Sequence, residues 1–186
     1  MIKKISSLIW LLLIIGALSI FFMHPEFAEP KELALFFKRF EAQALLLYLL
    51  VSMLRGFTLM PSTPLIIAGT LLFESQLLVF CISIFGIIFS SSLIYFFSDY
   101  LGFSQYFYKK ERVIDRIKIH LDSPYGILFV LLWSFLPMTP TDAVCYVAGA
   151  TKMQYKKFIA AVFAGESLIC GIYIFGIRGV SELFFK

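Results

Sequence analysis

The chain has 186 residues, 60% hydrophobic, 15% charged and 18% aromatic, with a formal net charge of +4 and a mean hydropathy of +0.90. Those proportions exclude an ordinary water-soluble globular domain and leave room for a handful of membrane spans. The basic residues sit at segment ends, a pattern that suits anionic lipid headgroups; no aromatic-basic motif points to nucleic acid.

Lys3-Lys4 precede Ile5–Met23, nineteen largely apolar residues with no A-x-A-like site before His24-Pro25-Glu26. A cleaved signal peptide has a shorter apolar core and such a site. The segment reads as a retained transmembrane anchor with its lysines in the cytoplasm. In Pro30–Gln43, Pro30 suits a first helical turn, and Leu33, Phe36, Phe37 and Phe40 recur at helical spacing among charges. This predicts an interfacial amphipathic helix or, as an open alternative, a helix covering another part of the protein.

Ala44–Phe73 is a thirty-residue apolar run with one charge, Arg55. As a single helix it would reach about 45 Å, against a hydrocarbon core of roughly 30 Å. Pro61 and Pro64 divide it, because proline lacks the N–H donor and clashes with the preceding turn. A re-entrant hairpin over 44–73 accounts for both facts. Leu77–Phe97 follows without a charge and predicts a full span. Asp99–Ser123 holds Lys109, Lys110, Arg112, Arg116 and Lys118, with Phe103, Phe107, Ile114, Ile117 and Leu121 near one face. A basic amphipathic segment against the cytoplasmic leaflet is expected.

Tyr125–Ala150 repeats the first hairpin's plan, with Pro137 and Pro140 at its break. The two breaks carry one small motif, Met60-Pro61-Ser62-Thr63-Pro64 and Leu136-Pro137-Met138-Thr139-Pro140, each followed by an Ala-Gly pair, Ala68-Gly69 and Ala148-Gly149. In hydrocarbon, freed backbone groups must be met by protein or water, so paired breaks in matching halves mark a repeat-built transporter. Phe158–Ile177 is the last expected span, with Arg178, Glu182 and Lys186 in a short tail. Counting crossings from a cytoplasmic N-terminus brings the second hairpin in from the side opposite to the first. The two hairpin-plus-span units are then related by inverted topology.

Arg55-Gly-Phe-Thr-Leu-Met-Pro61-Ser-Thr-Pro64, with Ala68-Gly69 and Phe73, resembles the first signature of the DedA superfamily. That superfamily is also called the VTT-domain or SNARE-associated Golgi protein family. Pro137-x-x-Pro140-Thr-Asp142-x-x-x-Tyr146-x-x-Gly149-x-Thr151, leading to Phe158, resembles the second signature. The resemblance covers roughly residues 44–176. It departs at Ser134, where the second signature usually has an arginine, at Gly165-Glu166, where a Gly and a later Pro are usual, and at Glu74, where glycine is common. The resemblance implies a lipid-handling protein, a flippase or scramblase for phospholipids or polyprenyl phosphates, with opposed hairpins forming a cavity. Some bacterial members are linked to the proton-motive force.

Arg55 near mid-membrane costs roughly 2.5–3.5 kcal/mol on insertion scales and should face a partner or a cavity. Its fork suits lipid phosphate; a pair with Asp142 or Glu74, or snorkelling, is the structural alternative. Asp142 would cap the second half-helix, pair with Arg55 or carry a proton. Glu166, mid-way along the last span, and Glu74 are the further proton-coupling candidates. Half-helices starting near Pro64 and Pro140 present N–H groups to anions. Thr63 and Thr139 would supplement those donors or satisfy broken backbone, and Pro61, Pro137 and Tyr146 complete the candidate substrate-binding set. Gly69 and Gly149 are read as sites of close helix approach. Cys81, Cys145 and Cys170 lie in apolar runs with no CxxC or Cys/His cluster, so no metal site, disulfide framework or cofactor is implied. No nucleophile elbow, HExxH or phosphate loop is present, which argues against an enzyme.

The sequence therefore predicts an all-α integral membrane protein. An anchor and interfacial helix occupy 1–43, and an inverted repeat of re-entrant hairpin plus span occupies 44–186. The expected function is movement of phospholipid or polyprenyl-phosphate headgroups between leaflets of a bacterial cytoplasmic membrane, with membrane lipids as partners and homo-oligomerisation left open. The competing readings are a small proton- or ion-coupled transporter of a soluble solute and a non-transporting membrane scaffold.

Overall fold

The structure, a computed structural model, describes residues 29–58, 61–100, 123–136 and 141–184, with single positions at 12, 15, 16, 19, 23, 119, 121 and 139. Most of the expected anchor and of the basic segment, as well as Pro137 and Pro140, lie outside those residues. Among the described residues there are seven α-helices and no strand: α1 (Pro30–Lys38), α2 (Ala44–Leu54), α3 (Thr63–Leu72), α4 (Gln76–Tyr100), α5 (Pro124–Phe135), α6 (Thr141–Ala150) and α7 (Tyr155–Phe184).

Local chemistry sets the ends. Pro30 and Pro124 stand in the first turns of α1 and α5, where a missing N–H costs nothing, and the Ser123 hydroxyl accepts from Gly126 N at 3.3 Å. The chain leaving α2 tightens into a 3₁₀ turn, Arg55–Thr58, before α3 begins with Thr63-Pro64. Helix α6 closes with Lys152 at φ 55°, its N–H reaching Gly149 O and that of Met153 reaching Ala148 O. That is a Schellman closure made without glycine.

The two long helices have apolar stretches of 23 residues (Gln76–Ser98) and 22 residues (Tyr155–Gly176). At about 1.5 Å per residue each exceeds a hydrocarbon core of roughly 30 Å. Helices α2, α3, α5 and α6 have 11, 10, 12 and 10 residues and reach only about half that depth. Outward-facing Leu46, Leu50, Phe85, Phe89, Leu132 and Leu168 are exposed, whereas Ser83, Ser90, Ser91, Ser98, Asp142 and Glu166 are buried. An apolar exterior around a polar interior is the pattern expected of a membrane protein.

Helix α4 is the spine. Helix α2 packs on it, α5 packs on α7, and the short helices exchange partners: α6 lies against α4 and α3 against α7. Small residues make these approaches. A Cβ at Gly86 would stand 2.7 Å from Ser52 Cβ on α2, and one at Gly69 would stand 2.9 Å from Val79. One at Gly149 would strike the Ser98 hydroxyl and the Tyr95 carbonyl. One at Gly56 would come within 2.8 Å of both Ser90 Oγ and Asp142 Oδ1.

Read along α4, these contacts order themselves. The first helical pair touches its N-terminal half at Val79 and Gly86, and the second touches its C-terminal part at Tyr95 and Ser98. The tips of both converge at Ser90. Residues from the two helix breaks thus meet part-way along this one long helix, at Gly56, Ser90 and Asp142.

One expectation needs correction, and one left open is narrowed. The last helix starts at Tyr155 and continues to Phe184, so Arg178 and Glu182 belong to it and not to a tail. Nothing between Ile177 and Phe184 stops a helix: Gly179 is tolerated, and the next turn has strong helix formers. Helix α1 covers the first hairpin, the second of its two expected roles. Phe37 is buried edge-on against Tyr48 at 5.7 Å, which meets Phe73 at 5.5 Å, and α1 packs on α3.

Candidate functional site

Charged side chains meet where the two helix breaks converge. Arg55, at the end of α2, donates from Nη1 to Asp142 Oδ2 at 3.3 Å, with the side chains 6% and 1% exposed. Asp142 stands in the first turn of α6, eighty-seven residues away in sequence. Its other oxygen rests near the bare Cα of Gly56, where a side chain would drive the two tips apart. A buried pair of this kind recovers its desolvation cost only with good geometry and further donors.

A second acid lies close by. Glu166, mid-way along the apolar stretch of α7, is 1% exposed and accepts a hydrogen bond from the Thr141 hydroxyl. Thr141 and Asp142 are neighbours, so the first turn of α6 holds Arg55 through one residue and Glu166 through the next. Gly165 makes this approach: a Cβ there would stand 2.5 Å from Leu131 O and 2.8 Å from Ser134 Cβ. The close α5–α7 contact sets Glu166 against the break between α5 and α6.

A small cleft, with room for about one water-sized group, opens beside these groups, lined by Ser62, Thr63, Ser134, Thr139, Thr141 and Glu166 together with Ile66, Leu136, Ile169 and Tyr173. It takes residues from both hairpin tips. A second, tighter crevice, too narrow for a water molecule, lies on the other side of Ser62 and Ile66, lined by Tyr48, Ser52, Arg55 and Ser83.

The candidates named from sequence distribute as follows. Arg55, Asp142 and Glu166 come together, and Thr63 and Thr139 line the cleft. The Thr139 hydroxyl donates to Trp133 O at 2.8 Å and Leu136 O at 3.0 Å, carbonyls left by the end of α5. Pro61 and Pro64 are half-buried at the start of α3. Tyr146 is buried in the main core one turn beyond Asp142. Glu74 is exposed at the α3–α4 turn, apart from the buried acids. Gly69 and Gly149 stand at the helix contacts already described. The three cysteines are unlinked thiols, and no group of three or more His, Cys, Asp or Glu residues gathers among the described residues.

The family model described as VTT domain matches residues 60–179, which include both proline breaks and the buried acids Asp142 and Glu166. The chain belongs to the VTT-domain family. It is also 30% identical over 118 residues to the uncharacterized protein MJ0201 of Methanocaldococcus jannaschii, across 61% of this chain and 71% of that protein. No solved structure matches the chain. As a VTT-domain protein with two apolar membrane-length helices, it is a membrane protein.

Sequence reasoning missed several parts of this VTT-domain site. Thr141 was passed over beside Asp142, and Ser134 entered only as the place of a lost arginine. The polar face of α4 was also missed, although Ser83, Gly86 and Ser90 recur at i, i+3 and i+7, the spacing of one helix face.

Proposed function

We propose that this VTT-domain protein moves lipids between leaflets, guiding a phosphate-bearing headgroup past the meeting point of its two hairpins while the tails stay in the bilayer. The observation that carries the reading is the buried Arg55–Asp142 pair where both tips converge part-way along α4. A membrane protein gains little stability from such a pair over an apolar substitute. It gains function if the arginine is needed for an anion. Asp142 then serves as an internal stand-in that holds the guanidinium until a phosphate takes its place. Arg55 offers a planar, permanently charged fork matched to phosphate oxygens. The first turns of α3 and α6 reach the adjoining cleft through Thr63 and Thr141, so the positive ends of their helix dipoles lie beside it.

In this reading the hairpins are re-entrant, dipping to mid-bilayer from opposite sides, and residues 1–43 contribute an anchor and the covering helix α1. Lys3 and Lys4 hold the N-terminus in the cytoplasm, and the substrates are phospholipids or polyprenyl phosphates. A second reading, ion-coupled transport, is favoured by one observation of its own: among the described residues a second buried acid, Glu166, stands against one buried arginine.

The test is leaflet exchange in proteoliposomes with labelled phosphatidylethanolamine and a labelled polyprenyl phosphate. Wild type should move at least one of them. Arg55→Lys keeps the charge opposite Asp142 and removes the fork, and should slow exchange by roughly tenfold, the effect of about 1.4 kcal/mol. Folded wild type that moves neither lipid would overturn the reading.

A further inference from the structure

Among the described residues, the Glu166 carboxylate has one good donor. Thr141 serves Oε1, and among the described residues Oε2 receives only the Cys170 thiol, at 4.0 Å. The Ser134 hydroxyl is buried without a hydrogen-bond partner among the described residues. It belongs to the residue packed on Gly165, and it lines the same cleft as Glu166 and Thr141. Three helices therefore bring one carboxylate and two hydroxyls to one wall. The end of α5 adjoins them with the partial negative charge of a helix C-terminus, opposed by the partial positive charge at the starts of α3 and α6, which reach the same cleft.

We propose that this wall is a sodium site, in which Glu166, Thr141 and Ser134 supply oxygen ligands to the ion. Carboxylate and hydroxyl oxygens are hard donors, suited to hard cations and poor for metals that seek thiolate or imidazole. One carboxylate balances one positive charge, which favours a monovalent ion in a site of low dielectric. An anion at the same wall would face the carboxylate directly. The short Ser and Thr side chains, with α5 held against α7 at Gly165 and Thr141 hydrogen-bonded to Glu166, would favour sodium over larger cations. An ionised Glu166 with an incomplete donor set is costly to bury, and a bound cation removes that cost. The Arg55–Asp142 pair lies outside this site, so headgroup and ion would occupy neighbouring places at the tips. The sodium site goes beyond the lipid-translocation reading and does not depend on it, since binding is measured without lipid movement.

The experiment is retention of radioactive sodium by the full chain in detergent, in choline chloride buffer, with unlabelled sodium, potassium or ethanolammonium chloride as competitors. Sodium should displace the label at a lower concentration than either competitor. Glu166→Gln should weaken retention by roughly tenfold or more and Ser134→Ala by a smaller factor, whereas Cys81→Ser, on an exposed thiol, should leave it unchanged. Unfolding midpoints in choline chloride establish that each variant is folded. Should Glu166→Gln fail that check, Ser134→Ala and Thr141→Val carry the test. Wild type that retains no sodium overturns the proposal, as does displacement at equal concentration by potassium or ethanolammonium. Retention unchanged in folded variants of the site residues overturns it too.

Discussion

Removing either member of the Arg55–Asp142 pair should destabilise the protein far more than removing both. The groups approach to 3.3 Å and are 6% and 1% exposed, so solvent screens them little. At an effective dielectric constant of about 20, two unit charges at that distance attract by about 5 kcal/mol. Desolvating the two groups opposes most of this attraction. A single change leaves the opposite charge buried and unmatched, which costs about 3–5 kcal/mol. Arg55→Gln with Asp142→Asn leaves two neutral polar groups of similar shape, so the double variant should lose only about 1–2 kcal/mol. The cycle then yields a coupling energy of at least about 4 kcal/mol, above the usual range of about 0.5–3 kcal/mol for residues in contact. It can be measured as unfolding free energies from denaturing-detergent titrations in mixed micelles, on wild type, both single variants and the double. Single losses that simply add, with coupling below about 0.5 kcal/mol, would refute the reasoning and remove Asp142 as the group that holds Arg55.

Three further outcomes are expected. Gly165→Ala should cost about 1–3 kcal/mol by forcing a methyl against Leu131 O, whereas Gly171→Ala, where a Cβ meets nothing within 4 Å, should gain up to about 1 kcal/mol in helix propensity; thermal unfolding of the two variants side by side reads the difference. Tyr48→Phe removes the 3.0 Å hydrogen bond to Ser83 and should cost about 0.6–1 kcal/mol, measured in the same way. Phe37→Ala should cost about 3–5 kcal/mol and raise amide exchange in α1 well above that in α4, because Phe37 is the one buried residue of α1; unchanged exchange in α1 would show that Phe37 does not hold the helix down.

Much of this architecture is written in the sequence, and the reason is local. Uninterrupted apolar length marks α4, paired prolines mark both helix breaks, and Pro30 and Pro124 mark helix starts, each through forces acting within a few residues. Arg55 could be singled out because a lone charge in a long apolar run is expensive wherever the run folds. Other features depended on residues distant in the chain. Whether Arg55 faced Asp142, Glu74 or the interface rested on how two hairpins lie along α4, which glycines and serines at 56, 86, 90 and 149 decide by allowing backbones to touch. Ser134, Thr141 and Glu166 carry no shared motif, because a buried oxygen wall assembled from three helices leaves no fixed spacing in sequence. The role of α1 was open for the same kind of reason: an amphipathic stripe requires an apolar partner, and only the tertiary structure says that Phe37 finds it on Tyr48. Local backbone chemistry fixed where helices begin and break; close packing between distant small residues decided which polar groups meet inside.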